Sequence, residues 1–209
     1  GSLNLGGAYS VTDGFGVSVG LTENNFLGRG QRLSFNIATA TESDSYVLGF
    51  TEPSLLGRDL RFDLDLGLNE TDSSFSEYRT KRIFFQPALT FNTGEDTSLQ
   101  VRYTWDADEM LFSDSEDDDT TSFLASPVIR NEIAQGERSS SAIGFTYRYD
   151  SRLTGLDPTA GFLVEVGADY AGLGGDSEYF KTTTKIVAQK QILKEEVTIR
   201  ATLEAGAFQ

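Results

Sequence analysis

Leu60-Arg61-Phe62-Asp63-Leu64-Asp65-Leu66-Gly67-Leu68-Asn69 is the stretch from which the fold can be read. One parity holds Leu60, Phe62, Leu64, Leu66 and Leu68; the other holds Arg61, Asp63, Asp65, Gly67 and Asn69. In an extended chain successive side chains point to opposite faces, so the aliphatics share one side and the charges the other. A helix would scatter the same residues around its axis. The segment is a strand with one apolar and one polar face.

The same split recurs along the chain. Leu33, Phe35 and Ile37 oppose Arg32, Ser34 and Asn36, and Leu99, Val101, Tyr103 and Trp105 oppose Gln100, Arg102, Thr104 and Asp106. Ile143, Phe145, Tyr147 and Tyr149 oppose Gly144, Thr146, Arg148 and Asp150. Val197, Ile199, Ala201, Leu203 and Ala205 oppose Thr198, Arg200, Thr202, Glu204 and Gly206. Runs of this kind predict about eleven strands, near 3–11, 15–23, 31–41, 45–53, 60–71, 77–92, 97–111, 138–150, 161–171, 177–191 and 196–208. Several approach the roughly 9–11 residues with which a tilted strand crosses a bilayer. Lys185 to Val197 can also be drawn as an amphipathic helix, and its neighbours favour strand.

Composition narrows the function. The chain has 209 residues, 17 basic against 32 acidic, a net charge of -15, and neither Cys nor His. Such a charge repels phosphate backbones and argues against nucleic acid as a partner. Without Cys and His there is no thiolate chemistry, no imidazole-centred triad and no Cys- or His-ligated metal site. No window approaches the apolar length of a membrane helix, but a barrel hides its hydrophobicity in alternation.

The connections divide by end. Compact turns are expected at Phe26–Gly30, Ser54–Asp59, Asn92–Asp96, Thr154–Gly161 and Leu193–Glu196. Longer polar loops are expected after the third, fifth, seventh and ninth strands, the extreme one running from Phe112 to Glu137. Outer-membrane barrels carry short turns on one side and long loops on the other. Tyr9, Phe15, Phe26, Phe50, Tyr78, Phe91, Trp105, Phe112, Phe162, Tyr170, Tyr179 and Phe208 lie toward strand ends, where interfacial girdles would place them.

Candidate chemistry is thin. Asp63 and Asp65 share a face with Arg61 and resemble a paired acid, but solvated lumen carboxylates are the commoner origin of that spacing. The acidic tip Asp114, Glu116, Asp117, Asp118 and Asp119 fails as an EF-hand, since Asp119 stands where Gly is needed and Ala125 where a bidentate Glu is needed. Gly14, Gly16 and Gly20 have the wrong spacing for a dinucleotide fingerprint, and no helix follows. No catalytic, metal or cofactor-binding residue is assigned, and the reading is of a protein that is not an enzyme.

The turns carry a resemblance. Glu23-Asn24-Asn25-Phe26-Leu27-Gly28-Arg29-Gly30 resembles the first periplasmic turn of BamA-family barrels, and Thr51-Glu52-Pro53-Ser54-Leu55-Leu56-Gly57 resembles the next. Tyr147-Arg148-Tyr149-Asp150-Ser151-Arg152 with Asp157-Pro158-Thr159-Ala160-Gly161 is similar to the family's Tyr-Asp-x-Arg … Pro-Thr-x-Gly turn. Glu178-Tyr179-Phe180-Lys181 follows in the matching order. The resemblance covers nearly the whole chain.

It implies an all-β, antiparallel up-and-down transmembrane β-barrel, incomplete at about eleven of the family's sixteen strands, with residues 1–209 as the N-terminal portion of the barrel domain. POTRA domains, the sixth external loop with its Arg-Gly-Phe motif and the five closing strands are absent from the stretch. An unclosed sheet leaves two unpaired edges, so self-association through them is an expectation. Further implications are the outer membrane of a Gram-negative bacterium, and a role in folding and inserting nascent β-barrel proteins. Outer-membrane lipids, those nascent proteins and accessory lipoproteins would be the partners. In the family the first strand pairs weakly with the last, and an arriving strand adds to the opened edge. That role would fall to Leu3, Asn4, Leu5, Gly6, Gly7, Ala8 and Tyr9. Gly6-Gly7 would weaken the strand and admit another backbone, or would mark a bulge. The alternatives are an outer-membrane channel or two-partner secretion transporter on a related barrel, and a soluble β-rich module whose apolar faces meet a second sheet.

Overall fold

The structure is a computed structural model that describes residues 1–11, 14–72, 78–112, 126–152, 160–192 and 197–209. Eleven strands follow one another: β1 (Ser2–Ser10), β2 (Gly14–Phe26), β3 (Gln31–Ala40), β4 (Ser43–Glu52), β5 (Leu60–Asp72), β6 (Tyr78–Asn92), β7 (Thr97–Phe112), β8 (Arg138–Asp150), β9 (Gly161–Ala171), β10 (Tyr179–Ile192) and β11 (Val197–Phe208). A helix, α1 (Pro127–Gln135), lies between β7 and β8, and a 3-10 turn spans Leu55–Gly57. All strands belong to one sheet in sequence order, each antiparallel to the next, with β1 and β11 at its two edges. This is an up-and-down meander, the connectivity that local hairpins produce.

Register keeps the alternation aligned from strand to strand. Leu33, Phe50 and Leu64 stand opposite one another across β3, β4 and β5, as do Phe35, Leu48 and Leu66. The apolar set therefore forms one continuous face. Among the described residues that face is not packed against a second sheet: Val17 is 45%, Phe145 48% and Leu203 63% exposed. Among the described residues the buried apolar side chains are Ala107, Ala142, Leu163, Ala171 and Val187, all but two of them small. A sheet with so little core cannot be a soluble sandwich, whose inner faces fill a layer about 10 Å thick. The apolar face is built for contact with lipid.

The polar face is concave. One cavity of about 410 Å³ is lined by Arg32, Thr51, Asp63, Gln86 and Arg102, which come from five consecutive strands. A second, of about 620 Å³, gathers Arg61, Gln100, Arg148, Glu165 and Thr183 from β5 to β10. Only a sheet curled around its polar side brings such distant strands to one space.

Three expectations need correction. Loop length does not divide cleanly by end: β3 and β4 are joined by Thr41 and Glu42 alone, whereas the β4–β5 connection on the opposite end is longer. Residues 112–137 contain α1, held by the Ser126 hydroxyl accepting from Ile129 N and by Pro127 at the first helical turn. The acidic tip and the Asp157–Thr159 stretch lie outside the described residues, as do Leu193–Glu196. Tyr78, Phe112, Tyr179 and Phe208 are on the polar parity rather than in an outward girdle; Tyr78 pairs with Phe112, and Tyr179 stacks on Phe208 at 5.2 Å. Lys185–Ile192 is strand throughout, paired with β9 and β11.

Candidate functional site: the edge strand and the charged lumen

The first strand begins Ser2-Leu3-Asn4-Leu5-Gly6-Gly7-Ala8-Tyr9, with Leu3, Leu5 and Tyr9 on the lipid-facing parity. Its ladder with β2 runs without interruption from Ser2 opposite Thr22 to Ser10 opposite Gly14. Gly6 pairs with Ser18 and Gly7 with Val17, so the two glycines mark no bulge. A Cβ at Gly7 would have its nearest neighbour at 3.9 Å, the carbonyl oxygen of Gly16. The glycines are thus not required by crowding at position 7. What they do is lower strand propensity and leave the backbone bare.

On its other side β1 has no strand among the described residues. In an antiparallel strand each residue aims its N–H and C=O toward one side, alternating along the chain. About half of the β1 peptide groups therefore point away from β2. Residues 2–9 are all exposed, with Leu5 at 73% and Tyr9 at 77%. The seven residues singled out from the sequence lie together on one regular strand paired with β2. β11 forms the other edge, with its whole length exposed.

The lumen face is organised by ion pairs within and across strands. Arg102 on β7 donates from Nε and an Nη to both carboxylate oxygens of Asp169 on β9, at 2.9 and 2.7 Å. Between them lies Gly144, opposite both residues in the register. A Cβ there would sit 1.9 Å from the Asp169 carboxylate, so only glycine leaves room for the bridge. Arg82 donates to the buried Asp106 at 2.7 Å, and Lys185 meets Glu204 at 2.6 Å across β10 and β11. At the end of β8, Asp150 accepts from Arg148 and, at two points, from Arg152, each at 2.7 Å. That contact raises the Arg152 guanidinium above its ordinary pKa.

This arrangement does not make an acid–base site. Asp63 accepts from Arg61 Nε and Nη at 2.9 and 2.7 Å and from the Thr51 hydroxyl at 2.8 Å. A carboxylate so occupied is a poor general base. Asp65 lines the same cavity without completing a catalytic pair. Among the described residues no group of three or more acidic side chains could hold a metal ion. The lumen network was invisible in the sequence, because its partners are up to 67 residues apart; the one available signal was Gly144 among bulky strand residues.

An antiparallel up-and-down meander with a lipid-facing apolar side and a charged concave side defines an outer-membrane-type β-barrel sheet. Comparison with known proteins agrees. Residues 25–209 match the Omp85 superfamily domain, and the chain belongs to that superfamily. It is 25% identical over 199 residues to the outer membrane protein assembly factor BamA of Nitratidesulfovibrio vulgaris, covering 94% of this chain and 24% of that protein. It is 26% identical over 180 residues to the sorting and assembly machinery component 50 homolog of Bos taurus, covering 86% of this chain and 36% of the relative. The crystal structure of BamA from Haemophilus ducreyi lacking POTRA domains 1–3 superposes with a TM-score of 0.72 at 20% identity, over 99% of this chain and 41% of that one. The chain thus spans about a quarter to a third of the curated relatives' length.

Proposed function

We propose that this chain is the N-terminal portion of the barrel of an outer-membrane protein assembly factor. Its place is the outer membrane of a Gram-negative bacterium, where it assists folding and insertion of β-barrel proteins. The observation that carries the reading is β1: a regular, bulge-free edge strand with two adjacent glycines, on a chain whose relatives are assembly factors. Such an edge offers main-chain hydrogen bonds to an incoming strand, and the bilayer makes those bonds valuable because lipid supplies none. The work is binding and templating, with no bond made or broken.

In this reading Leu3, Asn4, Leu5, Gly6, Gly7, Ala8 and Tyr9 form the pairing segment. Even positions face the lumen and odd positions the lipid, so an arriving strand in register continues both faces. Accessory lipoproteins would engage the parts of the longer protein that stand outside the bilayer. The test uses the full-length protein in lipid vesicles and follows a denatured outer-membrane barrel protein as it becomes protease-resistant. The proposal expects insertion to be faster with the protein than in empty vesicles, and to slow when Pro is placed at the β1 positions whose N–H points away from β2, which removes donors from that edge and leaves the β2 ladder intact. Equal rates in the parent and in all of these variants would remove β1 from the mechanism. A steady solute-selective conductance without insertion activity would favour the channel or secretion-transporter reading instead.

A further inference from the structure

Two turns at the same end of the sheet are copies of one another. Phe26-Leu27-Gly28-Arg29 joins β2 to β3, and Leu55-Leu56-Gly57-Arg58 joins β4 to β5. In both, the Leu and the Gly have positive φ: 54° and 72° in the first, 56° and 69° in the second. In both, the Arg N–H donates back to the residue before the Leu, at 3.2 and 3.1 Å, and the Gly N–H donates one residue further back, at 3.0 Å. Each turn is also braced by a glutamate at the same offset. Glu23 accepts from Asn25 N and Glu52 from Ser54 N, both at 3.0 Å.

Two consecutive positive φ angles closed by such a bond are the requirement of a type I′ turn, whose first position is ordinarily Asn, Asp or Gly. Leucine is a costly occupant, since its Cβ crowds the backbone in the left-handed region. Burial does not repay that cost: Leu27 is 74% and Leu56 87% exposed. A strained, exposed, apolar residue that occurs twice in identical geometry points to a use outside the fold.

The surroundings say what kind of use. The turns are tied together, because Gln31 Nε2 donates to Glu52 at 2.6 Å and Arg29 lies within electrostatic reach of the same carboxylate. Two interstrand spacings put the two leucines about 10 Å apart. Gln31 and Glu52 carry on the lipid-facing parity past Leu33 and Phe50, so a polar rung separates the leucines from the apolar band. A fluid bilayer gains nothing from rigid spacing, whereas a folded partner does, because preorganised contacts lose less entropy on binding. We propose that the paired Leu-Gly-Arg turns form a docking element for a protein segment that offers two apolar contacts about 10 Å apart flanked by carboxylates, Leu27 and Leu56 as anchors and Arg29 and Arg58 as their charged neighbours.

The test places a benzophenone amino acid at position 27 or 56 of the full-length protein and irradiates intact cells. Both positions should give an adduct with the same protein, mapped to one segment rich in Asp or Glu beside apolar residues. Arg29→Glu with Arg58→Glu should lower the yield at least tenfold. Adducts with lipid alone, with unrelated proteins at the two positions, or with nothing would overturn the proposal, as would a yield indifferent to charge reversal. Leu27→Gly with Leu56→Gly, read by adduct formation from a benzophenone at Asn24, separates docking from folding. The barrel should resist heat as well as or better than the parent while the adduct is lost; a less heat-resistant barrel would show that the leucines serve the fold.

Discussion

Arg102, Gly144 and Asp169 show what a single lumen position contributes. The guanidinium and carboxylate meet across an intervening strand, and both are mostly shielded from water. Arg102→Met leaves Asp169 without its two-point donor and should destabilise the barrel by about 1–3 kcal/mol. Gly144→Val forces the pair apart and should cost a similar amount, on the order of 1–3 kcal/mol. Arg61→Met, at a pair whose arginine is 57% exposed, should change stability by less than about 1 kcal/mol. Urea titration of the detergent-folded protein, read by heat-modifiable electrophoretic mobility, checks the order; equal losses at Arg61 and Arg102 would contradict it. The sequence assigned Arg61, Arg102 and Gly144 to the polar parity, since alternation alone decides that. Which arginine meets which aspartate depends on register across three strands, and no local pattern encodes it.

At the level of elements, strand lengths and the β-only sheet follow from alternation, and the ends of β8 and β9 lie where the sequence puts them. The helix α1 is only nine residues long and follows an acidic run that dominates the composition of its connection. Its start is nonetheless written in Ser126-Pro127, a capping hydroxyl followed by a residue suited to the first turn. Ser126→Ala should destabilise α1 by about 1 kcal/mol, seen as faster amide exchange over 129–135 with the sheet unaffected. β1 gives the opposite kind of prediction. Gly7→Val meets no obstruction on the lipid-facing side and should strengthen β1 by up to about 1 kcal/mol. Its amides should exchange more slowly, and insertion of a client barrel should slow with them. Faster insertion in the Val variant would mean that pliancy of β1 is not what the glycines provide.

At the scale of the whole fold, one face of the sheet is apolar with no second sheet over it among the described residues, and the other is charged and curled inward. Lipid is the environment that satisfies both. Trp105, the chain's single tryptophan, lies on the lipid-facing parity of β7. With any other tryptophan of the longer protein replaced, brominated acyl chains should quench its fluorescence strongly, and aqueous iodide weakly; the reverse would place the apolar face elsewhere. The net charge of -15 first describes an acidic soluble domain. Among the described residues the charges lie mainly on the lumen face and toward the strand ends, which is why an average over the sequence hides a membrane protein.

The central claim is that β1 receives an arriving strand by backbone pairing. These 209 residues contain no Cys, and with any Cys of the longer protein replaced, single Cys residues placed in turn from Asn4 to Tyr9 of the full-length protein can be oxidised against a client barrel stalled in assembly with one Cys in its terminal strand. The account predicts disulfides that step through β1 in a fixed antiparallel register as the client Cys is moved, with even positions pairing with lumen-facing client residues. Adducts without register, or none at any of the six positions while the client still inserts, would contradict it.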